Sequence, residues 1–123
     1  MPPTQVIFFR EGDEVPLLAW FETIPQRGRD DCIARLRLLE ELGHELRRPH
    51  ADYLHDGIYE LRAKREGVNY RMFYFFHGRK AVVVSHGVVK QRAEVPARDI
   101  DRAAERMTRF RAEPESHTFR PRK

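Results

Sequence analysis

Apolar and polar positions along this chain change period several times, and each change predicts an element. Residues 5–10 hold a short apolar run, Val6, Ile7, Phe8 and Phe9, ahead of the polar Glu11-Gly12-Asp13-Glu14, which predicts an opening strand. Behind Pro16, a residue suited to a first helical turn, Leu17, Trp20, Phe21 and Ile24 repeat at helical spacing. Residues 25–29 break that pattern. Asp30 or Asp31 can then cap a second helix to about Leu42, with Ile33, Leu36, Leu39 and Leu42 as its inward stripe and Gly43 as its stop. The short connection predicts an antiparallel helical hairpin laid on one face of a sheet. Residues 44–55 read as a polar connection.

From residue 58 the period becomes two. β-Branched and aromatic residues fill 58–65, 68–76 and 80–90, and Glu66-Gly67 and Gly78-Arg79 fit hairpin tips between three antiparallel strands. Hairpin register then sets Arg62 opposite Arg71 and Arg71 opposite His86, and alternation sends Lys90 to the same face. The opposite face carries Tyr59, Leu61, Met72, Tyr74 and Val83, an apolar surface for the helical hairpin. The cationic face has its own apolar end, expected at Ile58, Phe73, Phe75, Val82 and Val84. A last helix, about residues 96–110, is the expected cover, because Ile100, Ala103, Ala104 and Met107 repeat at i, i+3, i+4 and i+7. Residues 113–123 lack periodicity and read as a flexible basic tail. The expected architecture is one α+β domain over residues 1–112, in the order β-α-α-β-β-β-α.

Composition narrows the function classes. A chain of 123 residues with 41% hydrophobic content suits one domain. No apolar run approaches the roughly 18 to 20 residues of a membrane helix, so the expected location is the cytoplasm. Cys32 is the one cysteine, which excludes an internal disulfide and thiol-rich metal sites, and its helical position favours a buried residue over a nucleophile. His50 and His55 lack partners at metal-ligand spacing. There is no glycine-rich phosphate loop and no GxSxG, so neither cofactor nor metal is expected. The net charge of +4 has a definite address. Between Asp56 and Arg92 eight bases face three acids, leaving +5, so the remainder balances to −1.

Like charges directly opposite on a sheet are destabilising, so Arg62, Arg71 and His86 in one row ask for an anion above them. Three alternatives stand beside that reading. Arginine is common on exposed strands, Glu60 is near enough to partner one of the pair, and a one-residue bulge would separate the row. If the guanidinium groups point to opposite sides, or each is neutralised by a buried carboxylate, the case for an anion site fails.

Leu54-His55-Asp56-Gly57-Ile58-Tyr59-Glu60-Leu61-Arg62, then Tyr70-Arg71-Met72-Phe73-Tyr74-Phe75, then His86-Gly87-Val88-Val89-Lys90, with a proline-started helix from Pro96, resemble the HigB-like branch of the RelE/ParE toxins. The chain departs from that branch at Val88, where an aromatic is common, and at Gln91, where a second lysine is common. The resemblance implies the toxin of a type II toxin-antitoxin system, a ribosome-dependent endoribonuclease that cleaves messenger RNA and is neutralised by a helix-turn-helix antitoxin. The chemistry needs no metal, because RNA supplies its own nucleophile in the 2′-hydroxyl and the products end in a 2′,3′-cyclic phosphate. Arg62 and Arg71 suit the negative charge of the pentacoordinate species, Lys90 can share that task or move protons, and His86 is the candidate acid or base. Lys64, Arg65 and Arg92 are expected to bind RNA at the rim. Two other classes remain open: a ParE-like inhibitor of DNA gyrase without nuclease activity, and a non-catalytic RNA-binding module or relic.

Overall fold

Alternating strands and three α-helices come together, in a computed structural model that describes residues 3–90 and 96–121, as a mixed α+β fold on a six-stranded sheet. The elements are β1 (Gln5–Phe9), α1 (Pro16–Phe21), α2 (Gln26–Leu42), β2 (Ala51–His55), β3 (Ile58–Arg65), β4 (Val68–His77), β5 (Ala81–Lys90), α3 (Ala97–Ala112) and β6 (Thr118–Phe119). They pair in the order β2-β3-β4-β5-β1-β6. The meander β3-β4-β5 is antiparallel, and β1 joins it parallel to β5.

Two strands in this order were not expected. β2 lies inside the stretch read as a polar connection and pairs with β3 across Asp56-Gly57, whose φ values of 56° and 83° are those of a tight two-residue hairpin turn. β6 lies in the stretch expected to be a flexible tail. There Pro114–His117 forms a 3-10 turn and Phe119 pairs with Phe8 of β1. The second helix also starts earlier than expected. Pro25 is its N-cap residue, so the proline that seemed only to break the pattern opens the helix, and neither Asp30 nor Asp31 caps it. Gly28 fits inside that helix because the Tyr70 ring lies against it, and a Cβ there would sit 2.5 Å from Tyr70 Cζ.

Two apolar clusters flank the sheet. On one face Leu17, Phe21 and Ile24, with Cys32, Leu36 and Leu39 of α2, pack on Leu61, Met72 and Tyr74. On the other, Ile100, Ala103 and Phe110 of α3 pack on Ile58, Phe73 and Phe75. Filling these layers removes large side chains from water, at about 1.5–3 kcal/mol for each one fully buried. Burial also pushes the Cys32 thiol up to about 12, which keeps it protonated and inert.

A β-bulge in β5 changes which valines go where. Phe73 pairs with His86 but Tyr74 pairs with Val84, so Ser85 is the extra residue and the alternation reverses across it. Val82 and Val84 therefore join the helical-hairpin cluster and Val83 joins the α3 cluster, the reverse of the expected assignment. Beyond the bulge, Trp20 of α1 lies so close to Gly87 that any Cβ there would overlap its ring.

Candidate anion site on the β3-β4-β5 face

The turn between β3 and β4 fixes the first contact. Glu66 and Gly67 have φ values of 53° and 82°, a two-residue turn whose twist matches the strands, and it sets Arg62 directly opposite Arg71 as expected. The second expected pair is not formed. The connection from His77 to Ala81 holds three residues rather than two and Ser85 bulges, and each adds one residue to the offset. Arg71 therefore stands opposite Val88, His86 stands one same-face position further along opposite Phe73, and Lys90 stands opposite Asn69. Arg62, Arg71 and Lys90 remain on one face.

The three cations converge on Glu60, whose side chain is 2% exposed. Arg62 Nε and Nη2 donate to Glu60 Oε2 at 3.3 and 3.0 Å. Arg71 Nε lies 3.0 Å from Glu60 Oε1, an ion pair without hydrogen-bond alignment, and Lys90 Nζ lies 4.0 Å from the same oxygen. Both guanidinium groups thus reach a buried carboxylate, the outcome that counts against an anion site, and Glu60 partners two arginines where one was expected. One carboxylate is nevertheless shared by three cations, so the arginines are not each neutralised and positive charge remains in excess. Side-chain exposure falls from 28% at Arg62 to 12% at Arg71 and 11% at Lys90. Burial works against the charge on Arg71 while Glu60 supports it, and a guanidinium so placed stays ionised.

β2 adds a second acid. Asp52, opposite Glu60, accepts from Arg62 Nη2 at 3.2 Å and from the exposed Arg48 Nη2 at 2.8 Å. The Arg48 guanidinium, with help from Arg62, holds the Asp52 carboxyl below the usual carboxylate range. Arg62 is consequently held from two sides, and its Nη1 has no protein acceptor among the described residues. On Arg71, Nη1 donates to the Tyr70 carbonyl at 3.1 Å and Nη2 is free in the same sense. Each guanidinium is fixed along one edge and open along another.

The rim residues divide. Lys64 is exposed and shares the face of Arg62 by alternation. Arg65 takes the opposite face, where its Nε and Nη2 grip Asp31 of α2 at 2.7 and 2.8 Å, so it belongs to the helical hairpin rather than to the cationic row. Arg92 lies outside the described residues, as does Gln91.

His86 belongs to a different cluster. Its Nδ1 is 2.8 Å from Ser85 Oγ and its Nε2 is 3.3 Å from Asp99 Oδ1, while Arg106 Nη1 donates to Ser85 Oγ at 3.3 Å. Ser85, His86 and Asp99 are all buried, beneath α3. Burial pushes the His86 pKa down to about 4, against the opposing pull of Asp99. A neutral, enclosed imidazole with both nitrogens engaged is poorly placed to move substrate protons. Phe73 and Tyr74 are also buried, so neither ring is free to stack on a base, and Tyr74 holds the core position expected for it. Among the described residues, no three His, Cys, Asp or Glu side chains gather as a metal site.

Glu60 was legible only as a neighbour of the arginines; its burial follows from being opposite Phe73, under the edge of the α3 cluster. Asp52 was missed with its strand, although Asp56-Gly57 is a strong hairpin signal. Asp99 and Arg106 sit at i and i+7 on α3, which carries them to its inner face.

Residues 19–108 match the family described as phage-derived Gp49-like proteins (DUF891). No curated protein matches the chain. No helix among the described residues is long and apolar enough to cross a membrane.

Proposed function

The chain belongs to the phage-derived Gp49-like family, a RelE-like toxin family of toxin-antitoxin systems, and from that membership we propose that it is a ribosome-dependent endoribonuclease of the HigB-like branch. Its substrate is messenger RNA on the ribosome and its neutralising partner is a helix-turn-helix antitoxin, which places its action in the cytoplasm. The observation that carries this reading is the facing pair Arg62 and Arg71, each in contact with Glu60 and each with one guanidinium nitrogen that has no acceptor among the described residues.

The reaction follows from the substrate. The 2′-oxygen attacks the adjacent phosphorus, the bond from phosphorus to the 5′-oxygen breaks, and a 2′,3′-cyclic phosphate and a 5′-hydroxyl result. The hydroxyl proton is released and one proton is returned to the leaving oxygen. Arg62 through Nη1 and Arg71 through Nη2 each offer a charged donor to a non-bridging oxygen as its charge grows, and Lys90 adds a third positive charge beside them. Lys64 extends the cationic surface along the RNA backbone. The catalytic set is Arg62, Arg71 and Lys90, with His86 supporting the bulge that orders the end of β5.

Commitment of His86 to Asp99 favours a second reading, RNA binding without cleavage, since it removes the one side chain of the row that titrates near neutrality. Ribosomes translating a defined message, incubated with the protein and followed by mapping of RNA 5′ ends, decide between the two. Codon-phased cuts that require the ribosome are expected; intact message that nevertheless retains the protein would establish the second reading.

A further inference from the structure

Glu60 is placed where it opposes RNA binding, and its geometry gives that opposition a use. Its two oxygens take different partners: Oε2 holds Nε and Nη2 of Arg62, and Oε1 lies against Nε of Arg71 and towards Lys90 Nζ. Hydrogen bonds from Nε and Nη2 to Glu60 keep the Arg62 guanidinium from turning about its long axis, and Arg71 is held by its Nη1 donation to the Tyr70 carbonyl together with the ion pair from its Nε to Glu60. These contacts set the plane of each guanidinium and leave Arg62 Nη1 and Arg71 Nη2 without an acceptor among the described residues, open to an incoming oxyanion. Without the carboxylate, two guanidinium groups on directly opposite residues would repel and swing apart.

We propose that Glu60 is the positioning residue of this site, a fixed counter-ion that orients Arg62 and Arg71 for a phosphodiester and weakens ground-state RNA binding in exchange for alignment. The inference rests on the nuclease reading and adds to it a residue that never contacts the reacting atoms. The buried carboxylate repels a phosphate in every state of the reaction. Fork alignment matters most as charge accumulates on the non-bridging oxygens, so removing Glu60 should separate binding from rate.

The test compares wild type with Glu60→Gln, which keeps the shape and removes the charge, and with Glu60→Asp, which keeps the charge and shortens the arm. Two quantities are measured for each: affinity for a 2′-O-methyl oligoribonucleotide that cannot be cleaved, and the cleavage rate on translating ribosomes at saturating protein. For Glu60→Gln the oligonucleotide is expected to bind several-fold tighter at low salt, with a salt slope steeper by roughly one, while cleavage slows by about 10- to 100-fold. For Glu60→Asp affinity is retained and cleavage falls. Either variant cleaving at the wild-type rate, or losing affinity and rate in parallel, overturns the proposal. If Glu60→Gln does not fold, the Glu60→Asp pair of measurements decides alone. Wild type that binds the oligonucleotide but never cleaves would sink the nuclease reading instead, and tighter binding by Glu60→Gln would still test the counter-ion.

Discussion

Glu60 and Asp99 are both buried carboxylates at the sheet face that α3 half covers, yet they organise opposite kinds of cluster. Around Asp99 the donors and acceptors form a chain with one acid and one cation: Asp99 meets His86, His86 meets Ser85, and Ser85 accepts from Arg106. Around Glu60 three cations share one acid, and guanidinium nitrogens are left over. A network in which one acid, Asp99, stands against one cation, Arg106, fixes an element in place, here α3 on the bulge of β5, without the excess of positive charge that draws an anion. An incompletely neutralised one stays attractive to an anion. Two polar groups on one face thus separate into a structural lock and a recognition surface, and the bulge at Ser85 divides them.

Arg71→Ala should break this contrast most deeply. Removal of one charge-stabilising donor is expected to reduce cleavage on ribosomes by about 100- to 1,000-fold, with the circular dichroism spectrum of the folded protein retained. Arg71→Lys should recover only part of that loss, because one ammonium cannot reach Glu60, the Tyr70 carbonyl and a phosphate from three separate nitrogens as the guanidinium does.

His86→Gln should produce the complementary result. Disturbing the Asp99 network is expected to cost about 1–3 kcal/mol in urea unfolding, while the protein that remains folded continues to cleave. Collapse of cleavage at unchanged stability would move His86 into the chemistry. The pH dependence has a definite sign. His86 resists protonation when folded, with a pKa lowered to about 4 from 6.5, so the unfolded chain takes up its proton first. The contribution to stability is complete above about 6.5, is lost progressively as pH falls toward 4, and is absent below, with a slope of at most about 1.4 kcal/mol per pH unit. His86→Gln should flatten that slope in the same window.

The smallest effects separate the two faces. Lys64→Ala is expected to weaken binding of a non-cleavable RNA and to lower its salt slope by about one. Arg65→Ala, one residue along, should leave both unchanged, because its fork is held by Asp31 on the other side of the sheet. Equal effects at the two positions would contradict the division.

The parts of this arrangement that were legible in sequence are those set by short-range chemistry. Glu66-Gly67 demands a tight turn, a tight turn fixes register, and register brought Arg62 to Arg71 without any knowledge of the rest of the fold. The bulge was not legible because residues 82–84 are all valine, so both parities are apolar and alternation carries no information until Gly87. Pro25 was ambiguous for another reason: a proline ends one helix and starts the next equally well, and the charged residues of α2's first turns hid its start. β2 reads as polar because it is a short edge strand with exposed Tyr53 and His55. The buried state of Glu60 depends on what lies across β4 and on α3, which no local pattern contains.

The central claim, that Arg62 and Arg71 together hold a phosphodiester while His86 stays apart, is tested most directly by nuclear magnetic resonance of the side chains during titration with a 2′-O-methyl dinucleotide. The account predicts shifts at the guanidinium signals of Arg62 and Arg71 and none at the His86 ring. Shifts at the His86 ring, or arginine signals that ignore the ligand as it saturates elsewhere, would contradict it.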